Sequence, residues 1–180
     1  MSFTFGEIKR FLARDMKLTI KMLKGGYTDY LMVSDILEGK YDDMIIYGLA
    51  GIKYVEFPEL GEYVPTSSDE LLWMDHKLDF AYEITLCDQI PDYDDRDHTR
   101  TNTENIILKD LRIILPMYGH CSVNCIGEGK EAFRSSQDIP DTFDNKYLFG
   151  LGMEPDKTDI TAGVYEKRYV IVLSNRPRTD

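Results

Sequence analysis

The alternation of apolar and polar side chains writes several elements into this chain. Thr4 followed by Glu7 has capping-box spacing, and Ile8, Phe11 and Leu12 then fall on one side of a helix. The pattern predicts a short amphipathic helix over 4–14, with Lys9, Arg10 and Arg14 facing water. Next, Leu18, Ile20 and Met22 alternate with Lys17, Thr19 and Lys21, and Tyr27, Asp29, Leu31 and Val33 run back. The Gly25-Gly26 pair between them can supply the positive φ of a tight turn, so a hairpin is expected. Residues 44–57 read as a strand interrupted at Gly48 and Gly51, where isolated glycines signal a bulge or bend. Residues 58–68 have turn chemistry and read as loop. Residues 69–76 suit one or two helical turns, with Leu71, Leu72 and Trp73 on a buried edge.

The cleanest period-two stretch follows: Leu78, Phe80, Tyr82, Ile84 and Leu86 alternate with more polar neighbours. Residues 88–105 are rich in Asp, Arg, Thr and Asn, which marks a long exposed loop. Ile106 to Leu115 is apolar and β-branched up to Pro116, which predicts a strand. Cys121 to Ile126 predicts another, 128–134 a short helix, and 135–163 largely irregular chain. Val164 to Leu173 predicts the last strand, before the basic tail Arg176-Pro177-Arg178. Many strands with few helical periods define an α+β fold: a mostly antiparallel, twisted sheet with one or two short helices packed on it. The 180 residues suit one domain, with a subdivision possible near 88–105. Asp42–Phe57 and Thr103–Tyr118 share a polar start, an isoleucine pair and an aromatic end. That raises a duplicated unit, although strands resemble one another and the pattern favours coincidence.

Charge changes the picture more than composition does. Residues 35–97 hold 17 acids against 4 bases, while residues 1–34 carry +3 and residues 98–180 carry −1. Charge concentrated in this way steers basic partners and repels phosphate backbones. A pI near 4.7 argues against a general basic face for DNA, RNA or anionic membrane. There is no apolar run of signal-peptide or membrane-span type, and three cysteines suit reduced thiols. A cytoplasmic protein is expected.

Motif chemistry is sparse. Asp92-Tyr93-Asp94-Asp95-Arg96-Asp97-His98 places carboxylates at alternate positions, as a hard cation would require, yet lacks the glycine and distal glutamate of a calcium loop. A solvated loop or a docking surface for a basic partner fits it better. His120, Cys121 and Cys125, with Cys87 as a remote fourth, form one loose group rather than two close zinc-ligand pairs. Free buried cysteines fit them better, and a strand would point His120 and Cys121 to opposite faces, which disfavours a thiol–imidazole pair. Gly127-Glu128-Gly129-Lys130 lacks the upstream glycine and the Ser or Thr of a phosphate loop, and reads as a turn. No nucleophile-elbow, zinc-protease or dinucleotide signature is present, so no catalytic residue, metal or cofactor is assigned.

The leading helix Phe3–Arg14, the Gly25-Gly26 hairpin and Lys40-Tyr41-Asp42-Asp43-Met44-Ile45-Ile46 resemble the openings of small accessory proteins of phages and mobile elements in Gram-positive gut bacteria. Acidic proteins of that kind are similar to anti-CRISPR inhibitors of single-protein effector nucleases. The resemblance covers about the first third of the chain and carries no functional residue across. It implies an inhibitor that blocks guide loading, target engagement or cleavage. The expectation is a non-enzymatic protein whose acidic surface occupies a basic, nucleic-acid-binding partner, most concretely a CRISPR effector nuclease, in the manner of a DNA mimic. The residues expected to touch that partner are Asp42, Asp43, Glu56, Glu59, Glu62, Asp92, Asp94, Asp95 and Asp97, with Tyr93 as anchor. Rival expectations are a metal-dependent carboxylate hydrolase or nuclease, a structural or assembly protein of a phage, and nucleic-acid contact through the basic chain ends, should these meet in space.

Overall fold

The computed structural model describes residues 2–14, 16–36, 39–57, 62–66, 78–102, 104–117, 119–156 and 166–179. Within strands, only the backbone is described for 26–31, 51–57, 62–66, 78–81, 155–156 and 166–168. Two sheets share one apolar core. The first contains β1 (Lys17–Met22), β2 (Gly26–Met32), β3 (Ile45–Phe57), β4 (Glu62–Thr66) and β5 (Leu78–Cys87), in the spatial order β2-β1-β5-β3-β4. The second contains β6 (Cys121–Cys125), β7 (Gly129–Phe133), β8 (Tyr147–Asp156) and β9 (Glu166–Ser174), in the order β7-β6-β9-β8. Among the described residues, two short α-helices, α1 (Phe5–Lys9) and α2 (Leu108–Leu111), accompany them. The fold is α+β as expected, with the strands divided between two sheets. One pair in each sheet, β1 with β5 and β6 with β9, is parallel.

These two sheets are one unit built twice. Each half runs helix, hairpin, 3-10 turn, bulged strand and return strand, with β4 added after the bulged strand in the first half, and the return strand inserts beside the first strand of the hairpin. The bridge Thr4–Ile45 in the first half is matched by Ile107–Tyr147 in the second, steps of 103 and 102 residues. The same steps carry Phe5 N→Met44 O onto Leu108 N→Lys146 O, and Gly6 N→Asp42 O onto Lys109 N→Asp144 O. They carry the ion pair Lys9–Asp42 (3.3 Å) onto Arg112–Asp144 (2.7 Å). The strand bulge falls between Ile46 and Gly48 in β3 and between Leu148 and Gly150 in β8. In the return strands, Tyr82-x-Ile84-x-Leu86 answers to Tyr169-x-Ile171-x-Leu173, all six buried.

The halves hold each other. The Leu49 amide donates to Ile114 O at 2.7 Å, and its counterpart Leu151 donates to Phe11 O, also at 2.7 Å. The chain leaving each helix therefore docks on the bulged strand of the other half. Where the halves meet, the buried rings of Tyr82 and Tyr169 lie 4.9 Å apart, and the Tyr82 hydroxyl donates to Gly152 O at 2.9 Å. Burial pushes both phenols well above their ordinary pKa, so each stays neutral in the core.

Several expectations hold locally. The capping box is present: Glu7 N donates to Thr4 Oγ1 and Thr4 N to Glu7 Oε2, although α1 is shorter than 4–14. The first hairpin turns through Gly25 at φ 108°, and the glycine interruption of 44–57 is the β3 bulge. Others are corrected. Ile106–Leu115 is not a strand: Leu108, Leu111 and Leu115 are buried at helical spacing around α2, so tertiary burial overrides the β preference of the isoleucines. Where a helix is expected over 128–134 the chain forms β7 (Gly129–Phe133), because Gly127 (φ 84°) and Gly129 (φ 119°) bend it into a second hairpin. The stretch 135–163 contains β8, whose bulge breaks the period-two signal. Glu62–Thr66, expected as loop, is β4. The duplication pairs 42–57 with the region around β8, not with 103–118, which matches the N-terminal helix. The helical turns expected over 69–76 lie outside the described residues.

Candidate functional site

β5 ends at Cys87, and residues 88–102 return across the N-terminal helix as the acidic loop. Its fixed point is Asp94, whose side chain is 3% exposed. The carboxylate accepts from Arg96 Nε at 2.9 Å, from Arg96 Nη2 at 2.6 Å, and from the Arg96 backbone amide at 3.1 Å. It also faces His98 Nε2 at 3.1 Å. The Arg96 hydrogen bonds outweigh burial and hold the Asp94 carboxyl well below the usual range. The same guanidinium donates to Tyr47 O and Ile113 O and lies 4.5 Å over the Tyr47 ring. Arg96 thus ties the loop both to the β3 bulge and to the segment after α2.

Further ties hold the loop's end. Thr101 N, Thr101 Oγ1 and Asn102 N all donate to the buried Asp110 carboxylate of α2. Arg100 reaches Glu7 Oε1 at 2.6 Å and stacks 4.6 Å over Phe3. Burial raises the Glu7 pKa, but the Thr4 backbone and Arg100 outweigh it and keep the carboxyl below its ordinary value. At the tip, hydrogen bonds from the Thr99 side chain and from Thr99 N lower the Asp97 pKa. Held in this shape, the loop turns Asp92, Tyr93, Asp95 and Asp97 outward, and Tyr93 is 76% exposed.

The expected partner residues are therefore divided. Asp92, Tyr93, Asp95 and Asp97 share the outer side of one ordered loop. Asp94 is turned inward and cannot present its carboxylate in this conformation. Asp42 is partly exposed and paired with Lys9, and Asp43 beside it is exposed. Both the 42–43 segment and the loop border α1, through Gly6 N→Asp42 O and Arg100–Glu7. Glu56 and Glu62 lie on the paired backbones of β3 and β4, and their side chains fall outside the described set. Glu59 lies outside the described residues altogether.

The other candidates are placed by the sheets. Cys87, Cys121 and Cys125 are buried thiols in no disulfide, and burial raises the thiol pKa of Cys87 and Cys125. Among the described residues, no cluster of three or more His, Cys, Asp or Glu has a metal-holding arrangement. Gly127 and Glu128 lie in the β6–β7 turn and Gly129 and Lys130 open β7, with Glu128 held by Lys146 and Asn175. Among the described residues no helix is long and apolar enough to cross a membrane.

Sequence reasoning missed a second arginine tie. Arg178 donates to Arg10 O at 3.0 Å and to Phe149 O at 3.4 Å, and it lies over both Phe11 and Phe149. Phe149 is the counterpart of Tyr47, and Arg10 of Ile113, so Arg178 does in the second half what Arg96 does in the first. Chain ends 168 residues apart thereby meet. The available signal was the repeated aromatic-Gly-Leu: Tyr47-Gly48-Leu49 and Phe149-Gly150-Leu151. Compared with protein-family models, curated proteins and solved structures, the chain has no match.

Proposed function

We propose that this chain is a non-enzymatic binding protein whose acidic loop occupies a basic, nucleic-acid-binding partner in place of DNA or RNA. An inhibitor of a CRISPR effector nuclease in the bacterial cytoplasm is the most concrete form. The observation that carries this reading is the loop's construction. The pairing of the buried Asp94 carboxylate with the partly exposed Arg96 fixes its shape, so Asp92, Asp95 and Asp97 project around the exposed Tyr93 without a large ordering cost on binding. Three carboxylates around one aromatic anchor supply both long-range attraction and a specific contact. The excess of acids over bases elsewhere in 35–97 adds to the attraction.

The test is inhibition of a Cas9-type nuclease by the triple variant D92K/D95K/D97K, with Y93A beside it. Asp94 is left intact because reversing it would collapse the loop and confound the result. Loss of inhibition by the folded triple variant, with wild-type affinity falling as salt rises, supports the reading. Full inhibition by a folded triple variant removes the loop from the mechanism.

A further inference from the structure

The duplicated fold places an arginine tie in each half, and the two ties carry surfaces of opposite charge. Around Arg96, whose own charge is paired with Asp94, the exposed acids are Asp92, Asp95 and Asp97 with Tyr93, and the exposed Lys109 lines the adjoining cleft beside Asp97. Around Arg178, they are Arg10 and Arg176, with Phe149 40% exposed. Arg14, also exposed, follows on the same segment as Arg10. Each surface thus pairs a charged group with an accessible aromatic ring, and the charges are complementary. A sequence-equivalent swap underlies the contrast: Arg10 and Arg14 of the first half stand where the second half has Ile113 and Met117.

We infer that the chain docks head to tail on a second copy of itself, the acidic loop of one copy meeting the Arg10/Arg176/Phe149 surface of the next. The two surfaces differ, so the contact is heterologous: it leaves one acidic and one basic surface open at the ends of any short chain of copies. Charge complementarity favours this occupant, since the molecule itself carries both halves of the match. The contact is small and charge-driven, so it belongs among weak associations that salt dissolves. A chain with net charge −11 repels its own copies at a distance, so association needs this local match. The inference does not rest on the proposed inhibitory partner. Self-docking would cover the same loop and so compete with that partner.

The experiment is sedimentation equilibrium of the full chain at about 50 mM and about 500 mM salt, a range over which screening strengthens sharply. Two variants accompany wild type: D92K/D95K, and R10E/R176E. Both leave Asp94, Arg96 and Arg178 in place, and circular dichroism checks the fold. The expected result is a weight-average mass for wild type that rises with concentration at low salt and returns to monomer at high salt. Each variant alone should associate at least about fivefold more weakly, and their equimolar mixture should associate again, because each supplies the surface the other lacks. A wild type that stays monomeric at low salt overturns the inference. So does either variant associating as well as wild type, or a mixture that remains monomeric. A fluorescent single-stranded dT20 bound by monomeric wild type and lost in R10E/R176E would also overturn it, and would assign the basic surface to nucleic acid.

Discussion

Replacing Asp94 with Asn tests whether the acidic loop is held by the ion pair at its centre. The substitution preserves shape but removes the charge. One oxygen can still accept from Arg96 Nε and the Arg96 amide, whereas the position that met Arg96 Nη2 at 2.6 Å and His98 at 3.1 Å would become an amide group. Losing a charge-assisted pair at a covered carboxylate costs about 1.5–3 kcal/mol. Arg96 is 37% exposed, so water recovers part of that, and about 1–2 kcal/mol is the working figure. In a chain of this size, about 2–4 °C of melting temperature corresponds to each kcal/mol, which gives a fall of about 2–8 °C. The assay is thermal melting followed by circular dichroism, with amide exchange read over residues 92–98. The pH dependence has a definite sign. The Asp94 pKa is depressed in the folded state, so its stabilisation is full above the unfolded value of about 4 and shrinks as pH falls toward the depressed one. The gap between wild type and variant should therefore narrow from about pH 5 to about pH 2.5. An unchanged melting temperature at pH 7, or exchange in 92–98 that does not quicken, would refute the account of how the loop is held.

Other outcomes follow from the same geometry. Tyr82→Phe removes the buried hydroxyl donated to Gly152 O across the two sheets, and should cost about 1 kcal/mol in a denaturant titration. Gly6→Ala should destabilise the chain although alanine favours helices, because a Cβ at that position would stand 3.0 Å from Asp42 Cβ and 3.1 Å from Asp42 O; melting reads the sign. The three thiols should react with a disulfide reagent only slowly in the native protein and quickly after denaturation, since all are buried and two have raised pKa values.

Local pattern was legible wherever one residue's neighbours along the chain decide its conformation. The capping box at Thr4 and Glu7, the Gly25 turn, the bulge beside Gly48 and the alternation through Tyr82 and Ile84 all depend on short-range chemistry. The errors came where distant contacts decide. Ile106–Leu115 has β-branched composition, but its centre, Leu108–Leu111, is wound into a short helix by the core it faces. β8 alternates only on either side of its bulge, so its period was concealed. The outward acids of the loop were readable from composition, whereas the inward turn of Asp94 depends on Arg96 reaching Tyr47 O and Ile113 O. The duplication was visible only as Gly-Leu pairs and Tyr-x-Ile-x-Leu phrases, because the residues between have changed while the backbone contacts have not.

The exchange of hydrogen bonds between halves also bears on synthesis. Leu49 can find its acceptor only when Ile114 has left the ribosome, and Phe11 waits longer still, for Leu151. A nascent first half must therefore linger with an unmet strand edge, open to wrong neighbours, until its sibling arrives. Slowing translation between these points should lower the yield of native protein more than slowing it after β9.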